Sequence, residues 1–412
     1  MQMPPITKEN NEYDFSSNRS HRSKENISDK QLIQQAVANT NAYNLAIQSA
    51  LPGDTILLLE RESYSFIGGI KGVNLKNITF DFAGYARFLY DTEFWPMRLL
   101  PFVHAIEEYA PAFEMLDCMD IKITCSAKDK AIVKVDYETN EIYMDTESGS
   151  GGIIDGHGKK WWDGAILGDM DVDARPRLID IRGCMDVTLE HVTLVNAPYW
   201  TVTLEAIGAE VHHVNVLVDR DYQRNLINNT RTERVRAAQN RASRQHINNS
   251  NSNSTWNKNY NSISKQSMSR HLRVRNQLDF NFPDILPDWI LQPQDLNTDG
   301  IDPIGRDIHI HDCIILNDDD SIAVKPPMFG QKGSVMNGTI PYECTGNITI
   351  EDMVLVGFGA SIGSVGPLPT HPCVDGVHFK NIRMPGSAKG IYIKSNKADC
   401  KGNVSSRITN IL

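Results

Sequence analysis

Two short acidic segments contain the residues of this chain that are best suited to chemistry. The first is NTDGID, residues 297–302, and the second is NDDDSIAVK, residues 317–325. Asp299 and Asp319 are 20 positions apart, which is close to one coil of a stacked strand repeat. Stacking would bring side chains of adjacent strands to a spacing of about 4.8 Å. The spacing therefore predicts that Asp299, Asp319 and Asp320 share one cleft.

Carboxylates held this close together repel one another, and the repulsion raises the pKa of at least one of them. One acid then keeps its proton at neutral pH beside an ionised neighbour. Cleavage of a glycosidic bond requires such a pair. Two simpler roles stay open, because Asp and Asn also cap backbone groups in turns and bind cations. The position of both segments at the ends of successive coils favours catalysis.

A recurring strand pattern would position these acids. Each repeat starts with a polar residue or Gly, continues with β-branched residues alternating with polar ones, and ends with a second apolar pair. Repeats of this kind without helices between them predict an all-β, parallel β-helix, and an antiparallel sandwich is the alternative. The repeats are VNLKNITF (73–80), CMDVTLEHVTLVN (184–196), AEVHHVNVLV (209–218), RDIHIHDCIILN (306–317), GNITIEDMVLVG (346–357) and DGVHFKNIRM (375–384).

The solenoid is expected to occupy residues 31–412 as one domain, after a polar and disordered segment at 1–30. A short amphipathic helix is predicted from Asp29 to Ala50. Residues 219–282 are rich in Asn and basic residues and poor in apolar ones, which predicts a disordered insertion. The chain ends within an apparent strand, and its start lacks the order of a secretory signal, so both termini are expected to be incomplete.

The charge of the chain differs between these parts. The total is −10, of which the insertion carries +8 and the remainder −18. An acidic body argues against a nucleic-acid partner, and the absence of a long apolar run argues against a membrane span. The seven cysteines form no CxxC pair, so neither a metal centre nor a cofactor is expected.

Conspicuous aromatic and histidine residues have structural interpretations. Trp161, Trp162 and Trp200 could stack on sugars, although core or covering positions are more usual for such residues. His212 and His213 have no carboxylate or Cys partner at ligand spacing along the chain, which predicts surface and core positions.

Five landmarks in chain order give the sequence a resemblance to glycoside hydrolase family 28, the polygalacturonase family of right-handed parallel β-helices. The order of these landmarks is more specific than any one of them. They are NTNAYNLAIQSALPGDTILL (39–58), GGIIDGHGKKWWDG (151–164), RPRLIDIRGCMDVTLEHVTLVNAPYW (175–200), NTDGID (297–302) and DDSIAVK (319–325).

The resemblance implies a site and a mechanism. Asp299 matches the Asp of the family's NTD motif, and Asp319 and Asp320 match its paired Asp. Asp319 would be the general acid, while Asp299 and Asp320 would hold and deprotonate the attacking water, with inversion at the anomeric carbon. Inversion usually needs roughly 6.5 to 9.5 Å between acid and base. Asn297 would contact the sugar or orient the acids, and Asp318 leaves a register slip of one residue open.

Two positions depart from the family pattern. Phe358 stands where the family has the His of GHG, and Tyr392, followed by Lys394, stands where it has the Arg of RIK. A neutral phenol cannot replace a guanidinium that grips a uronate carboxylate. A rhamnogalacturonan-type hydrolase is similar in these respects, and a catalytically weakened carbohydrate-binding β-helix is the other interpretation.

The expected protein is therefore a monomeric, extracellular, pectin-cleaving glycosidase that needs no metal, with Phe358, Tyr392, Lys394 and Asn297 contacting the polysaccharide. A calcium-dependent lyase of the same architecture is the rival enzyme, in which clustered Asp would bind the cation.

Overall fold

A computed structural model describes residues 29–99, 107–139, 141–145, 150–233, 236, 293–327, 344–365, 373–395 and 403–411. Its helices are α1 (Asp29–Ser49), α2 (Lys159–Leu167), α3 (220–233) and a 3-10 turn at Pro293–Leu296. The strands β1 to β24 are, in chain order, Thr55–Leu58, Ser63–Phe66, Ile70–Val73, Lys76–Phe82, Tyr85–Phe88, Met97–Leu99, Glu107–Tyr109, Phe113–Leu116, Met119–Thr124, Ile132–Asp136, Glu141–Asp145, Ile153–Asp155, Ile179–Glu190, Thr193–Val195, Val202–His212, Asn215–Leu217, Ile301–His311, Ile314–Leu316, Asp320–Val324, Thr345–Val356, Gly359–Val365, Cys373–Arg383, Ile391–Ser395 and Asn403–Ile411.

Twenty of these strands form one continuous sheet that winds through successive coils. Strand β13 pairs in parallel with β15, and β15 pairs in parallel with β17. Ile179, Val202 and Ile301 are thereby stacked at one level, and all three are fully buried. Alternate residues of each coil point inward and build one long core. The predicted all-β, right-handed parallel β-helix is confirmed, and the antiparallel sandwich is wrong.

Left-handed residues at fixed positions make the coils turn. These residues form two columns along the solenoid. The first column lies just before the second half of the long strands, and the second column lies where that half ends. Only Gly, Asn, Asp and a few His adopt this conformation readily, which is why a polar residue or Gly leads each sequence repeat. The first column is Asn77, Asp120, Asp186, Gly208, Asp307, Asn347 and Gly376, and the second is His191, His213, Asp312, Asp352 and Asn381.

Helix α1 packs on the first coils, and it begins and ends almost where the sequence predicts. Tyr43 is fully buried and meets Phe66 edge to face with ring centroids 5.6 Å apart. The amide nitrogen of Asn39 donates to the carbonyl of Ser65 at 2.7 Å. The helix therefore covers core that the first coil would otherwise expose. Residues 1–28 lie outside the described residues, so disorder there stays a prediction.

Helix α3 corrects the prediction for the insertion at 219–282. Residues 220–233 are helical, and Ile227 is buried in a small cluster with Trp162 and Leu296. Tyr222, Leu226 and Ile227 place apolar surface on one face of a helix, which offsets the cost of ordering the backbone. Disorder is therefore wrong for 220–233. Residues 234–235 and 237–282 lie outside the described residues.

Several other features depart from the solenoid or bear on it. Strands β6 and β7 form one antiparallel hairpin, and β10 and β11 form another. A disulfide joins Cys344 to Cys373. The tryptophans Trp161 and Trp162 are fully buried, which confirms their predicted core positions. No helix in the described part of the chain has the length and apolar character needed to cross a membrane.

Candidate active site

The three acids that the sequence singles out lie together on one face of the solenoid. Asp299 precedes β17, and Asp319 precedes β19, whose first residue is Asp320. One carboxylate oxygen from each acid lies within 4.8 Å of the other two. Gly300 allows this approach, because a Cβ there would lie 2.3 Å from the carbonyl oxygen of Ser321. The stacking of Asp299 and Asp319 from adjacent coils is as predicted.

The neighbouring Asp318 in the acidic run has different partners. Its carboxylate pairs with Arg220 at 2.7 Å and with Arg224 at 2.7 Å, both on α3. Asp318 is thereby neutralised by two guanidinium groups from a separate helix. The three-carboxylate group consists of the other two members of the run and Asp299.

Asp320 is held by three donors from the next two coils. The hydroxyl of Ser361 donates to its Oδ2 at 2.7 Å. The Tyr392 hydroxyl donates to Oδ1, and the Lys394 ammonium forms an ion pair with Oδ2. Tyr392 and Lys394, predicted to contact substrate, therefore also bind one of the acids directly. The carboxylate of Asp320 is fully buried and fixed in orientation.

Lys325 and Asp302 form a second layer below the acids. The Lys325 ammonium lies 3.5 Å from Asp299 and 3.3 Å from Asp302. It also lies 4.8 Å from the ring centroid of Trp200, a cation–π contact. Asp302 is fully buried, and among the described residues neither of its oxygens has a well-formed hydrogen bond. One ammonium is therefore shared by two buried carboxyl groups.

Burial and mutual repulsion shift the proton affinities of this cluster. Burial, together with Asp299 and Asp320, raises the pKa of Asp319 well above its ordinary value. Burial also raises the pKa of Asp299, with Asp320 adding to the effect and Lys325 opposing it. The pKa of Asp302 rises to about 8 for the same kind of reason. The pKa values of Asp299 and Asp319 therefore shift upward, which is the direction that the sequence predicts for at least one acid.

The backbone around the acids is fixed by Asn317. Its side-chain amide donates to the carbonyl oxygens of Thr298 at 2.8 Å and Asp320 at 2.9 Å. Its own amide oxygen accepts from the hydroxyl of Ser321 at 3.1 Å. A Cβ at Gly357 would lie 2.1 Å from that oxygen. Asn317 thus ties the two acidic segments together, and only glycine fits at the neighbouring coil.

The remaining predicted residues lie around the cluster. The backbone N–H of Phe358 donates to the carbonyl of Asp319 at 2.8 Å, and its ring meets Tyr392 edge to face at 6.1 Å. The exposed Lys389 lies 4.5 Å from both ring centroids. Asn297 is half-buried in a left-handed turn two residues before Asp299.

The sequence interpretation missed Lys325, Asp302 and Ser361. Lys325 and Asp302 stand inside the two segments that were singled out, so strand alternation could have placed them near the acids. Ser361 carries no motif, and only the pairing of β19 with β21 brings it to Asp320.

The described residues form a parallel β-solenoid that carries three clustered carboxyl groups on one face. The family model described as "Glycosyl hydrolases family 28" matches residues 118–232 and 232–411, which is more than half of the chain. The chain belongs to that family and is a glycosidase. No curated protein matches the sequence significantly.

Solved structures show the same fold at low sequence identity. An endo-xylogalacturonan hydrolase from Aspergillus tubingensis has a TM-score of 0.52 and 17% identity, over 92% of this chain and 69% of that one. A polygalacturonase from Erwinia carotovora ssp. carotovora has a TM-score of 0.52 and 17% identity, over 90% of this chain and 73% of that one.

Proposed function

We propose that this protein hydrolyses glycosidic bonds in a pectic polysaccharide, with Asp319 as general acid and Asp299 and Asp320 activating the attacking water. The proposal rests on one observation. Three buried carboxyl groups have oxygens within 4.8 Å of one another, yet their surroundings differ. A proton donor and a proton acceptor are both needed within reach of one glycosidic oxygen.

Asp319 suits the role of acid because its pKa is strongly raised and, unlike Asp299 and Asp320, it forms no ion pair with a described residue. The raised pKa favours the protonated form of this carboxyl group, which can donate to the leaving oxygen. Asp299 suits the role of base because its buried Oδ1 has no hydrogen-bond partner among the described residues. That oxygen is free to accept a proton from water. Asp320, held by Lys394 and Ser361, would orient the same water.

The separation of the acids differs from the expectation for inversion. Oxygens of the three groups lie within 4.8 Å of one another, below the roughly 6.5 to 9.5 Å that was expected. A water held jointly by Asp299 and Asp320, beside Asp319, needs no wider gap. We therefore retain inversion in the proposal, and the anomer first released, read by proton NMR, tests it. A retained anomer would instead make Asp299 a nucleophile.

The substrate proposed is a pectin that is less uniformly charged than homogalacturonan. Tyr392 carries a neutral phenol where a guanidinium would grip a uronate. Its hydroxyl is also already engaged with Asp320. The positive charge near the rings comes from Lys389, which is exposed beside Phe358 and Tyr392. The structural relatives are named for xylogalacturonan and polygalacturonate hydrolysis, so these polymers belong in the test.

The decisive experiment incubates the purified protein with homogalacturonan, xylogalacturonan and rhamnogalacturonan in parallel. New reducing ends without an unsaturated chromophore, insensitive to EDTA, are expected on at least one polymer. An EDTA-sensitive chromophore would establish the calcium-dependent lyase instead. Binding by calorimetry without any product would establish the carbohydrate-binding β-helix.

The Asp319→Asn variant assigns the activity to this site. Loss of the general acid should lower kcat by about 10² to 10⁴-fold. Asp186→Asn is the matched control, because Asp186 is exposed in a left-handed turn that Asn also tolerates. Equal activity of the Asp319→Asn variant and wild type would overturn the assignment.

Secretion and a monomeric state remain part of the proposal. The Cys344–Cys373 disulfide supports an oxidising compartment, and a polysaccharide substrate of this kind is extracellular.

A further inference from the structure

A band of histidines lies at the other end of the strands that position the acids. Asp299 precedes the start of β17, whereas His309 and His311 lie near its end. Their neighbours on the preceding coils are His212 and His213, at the end of β15, and His191, in the turn after β13. The ring centroids of His191 and His213 are 5.0 Å apart, and those of His212 and His311 are 5.2 Å apart. The imidazoles therefore form a continuous group across three coils.

Three of these rings converge on one point. His191, His212 and His213 each offer a ring nitrogen, and these atoms lie within 4.8 Å of one another. The Nδ1 atoms of His212 and His213 are 2.9 Å apart. Two ring nitrogens at this distance share a single proton or a cation, because two N–H groups facing each other would repel.

A carboxylate fixes which nitrogen of His212 faces the group. The Nε2 atom of His212 lies 3.1 Å from Glu190, one coil back. When Nε2 carries the proton and donates to Glu190, the Nδ1 lone pair points at His213. Glu190 is itself held by Lys122 at 2.7 Å and by Thr124 at 2.8 Å. A histidine oriented by a carboxylate in this way is the usual arrangement behind a metal-binding imidazole.

The second candidate group in the band, Glu210, His309 and His311, is less suited to a metal. Both nitrogens of His311 already face carboxylates, Asp312 at 2.7 Å and Glu210 at 3.4 Å. His309 faces Glu351 at 3.0 Å. These rings are engaged in ion pairs, whereas the Nδ1 atoms of His212 and His213 face each other.

We propose that His191, His212 and His213 bind a transition-metal ion such as Zn²⁺, which joins two successive coils of the solenoid. Three imidazoles and a water complete a tetrahedral shell with Zn–N distances of about 2.0 to 2.1 Å, reached by small rotations of the rings. Nitrogen ligands select Zn²⁺, Ni²⁺ or Cu²⁺ over Ca²⁺ and Mg²⁺, which prefer oxygen. Glu190 is a positioning residue for His212. An ion that binds only the folded coils would stabilise them.

Equilibrium dialysis of chelator-treated full chain against Zn²⁺ tests the site. One Zn²⁺ per chain and a rise in melting temperature are expected, with no competition from excess Ca²⁺. His191→Ala and His213→Ala should each weaken binding at least tenfold and remove the thermal shift. Glu190→Gln should weaken binding by about 10 to 100-fold. Circular dichroism without Zn²⁺ establishes that each variant is folded.

Two control variants locate the ion. His378→Ala removes an exposed histidine from the same sheet, and it should bind Zn²⁺ like wild type. Asp319→Asn should also bind like wild type, because the acid cluster is a separate site. The proposal is overturned if wild type binds no Zn²⁺, if His191→Ala and His213→Ala retain wild-type affinity, or if only His309→Ala or Asp319→Asn abolishes binding.

Discussion

Asp180 and Asp302 occupy equivalent positions in coils two steps apart, yet their proton affinities are opposite. Asp180 pairs in register with Thr203, and Thr203 pairs with Asp302. Both carboxyl groups are fully buried. Burial alone would raise both pKa values, but Arg182, Arg177 and Arg98 bring the pKa of Asp180 down to about 2. The pKa of Asp302 is raised to about 8 by burial, because Lys325, the ammonium that opposes the shift, is shared with Asp299.

The comparison shows that charge balance, and not depth of burial, distinguishes the surroundings of Asp180 from those of Asp302 and the proposed catalytic acids. Around Asp180, guanidinium groups pair with Asp180 itself and with Glu108 and Glu114, so each acid faces a cation. Around Asp302, acids outnumber the ammonium groups and protons fill the deficit. Because cations are few here, the carboxyl group of Asp302, below the proposed catalytic acids, holds its proton more tightly than an ordinary carboxyl group does.

Asp180→Asn should have the largest effect on stability. Its carboxylate pairs with Arg182 at 2.9 Å and Arg98 at 3.1 Å, so its loss leaves buried positive charge poorly compensated. We expect a destabilisation of about 3 to 5 kcal/mol, measured by chemical denaturation. Asp186→Asn in the same strand should change stability by less than about 0.5 kcal/mol. A small loss for Asp180→Asn would show that the guanidinium network does not depend on this acid.

Asp302→Asn should change the pH dependence of stability. The folded pKa of about 8 lies above the unfolded value of about 3.9, so the folded chain binds the extra proton between these pH values. The contribution of Asp302 to stability therefore falls as pH rises from about 4 to 8, by at most about 1.4 kcal/mol per pH unit. Removing the acid should flatten this decline. Unfolding free energies at pH 5 and pH 8 measure it, and an unchanged slope would contradict the prediction.

The sign is reversed for Asp180, which provides the internal contrast. Its folded pKa of about 2 lies below the unfolded value, so its stabilisation is complete above about pH 4 and is lost as pH falls toward 2. The wild-type protein should therefore lose stability at both ends of the range for opposite reasons.

Arg224→Ala should have the smallest effect of the three. Arg224 is about half exposed, at 46%, and Asp318 keeps its ion pair with Arg220 at 2.7 Å. A loss below about 1 kcal/mol is expected, because the Arg224 end of the pair is open to solvent and the buried Asp318 keeps Arg220, with hydrolysis within twofold of wild type. A strong loss of activity with an intact fold would mean that Asp318 shares in the chemistry of its neighbours.

The sequence was sufficient for the features that repeat from coil to coil. The spacing of Asp299 and Asp319 predicted that they share a cleft, and the polar residue or Gly that leads each repeat corresponds to a left-handed position in the structure. Partners that come from outside the repeat were not predictable: Arg220 and Arg224 lie 98 and 94 positions from Asp318. The carboxylate partner of His212 was likewise not predictable from spacing along the chain, because Glu190 lies one coil earlier and only the stacking register reveals it.

The columns of left-handed residues have a consequence for how such a chain can change in length. A deletion or duplication of one whole coil returns every Asn, Asp or Gly to its column and restores the hydrogen-bonded ladder. A change of one residue within a coil would turn the inward side chains outward through the rest of the strand. The architecture therefore tolerates growth in whole-coil steps and resists small insertions, except in the turns between strands.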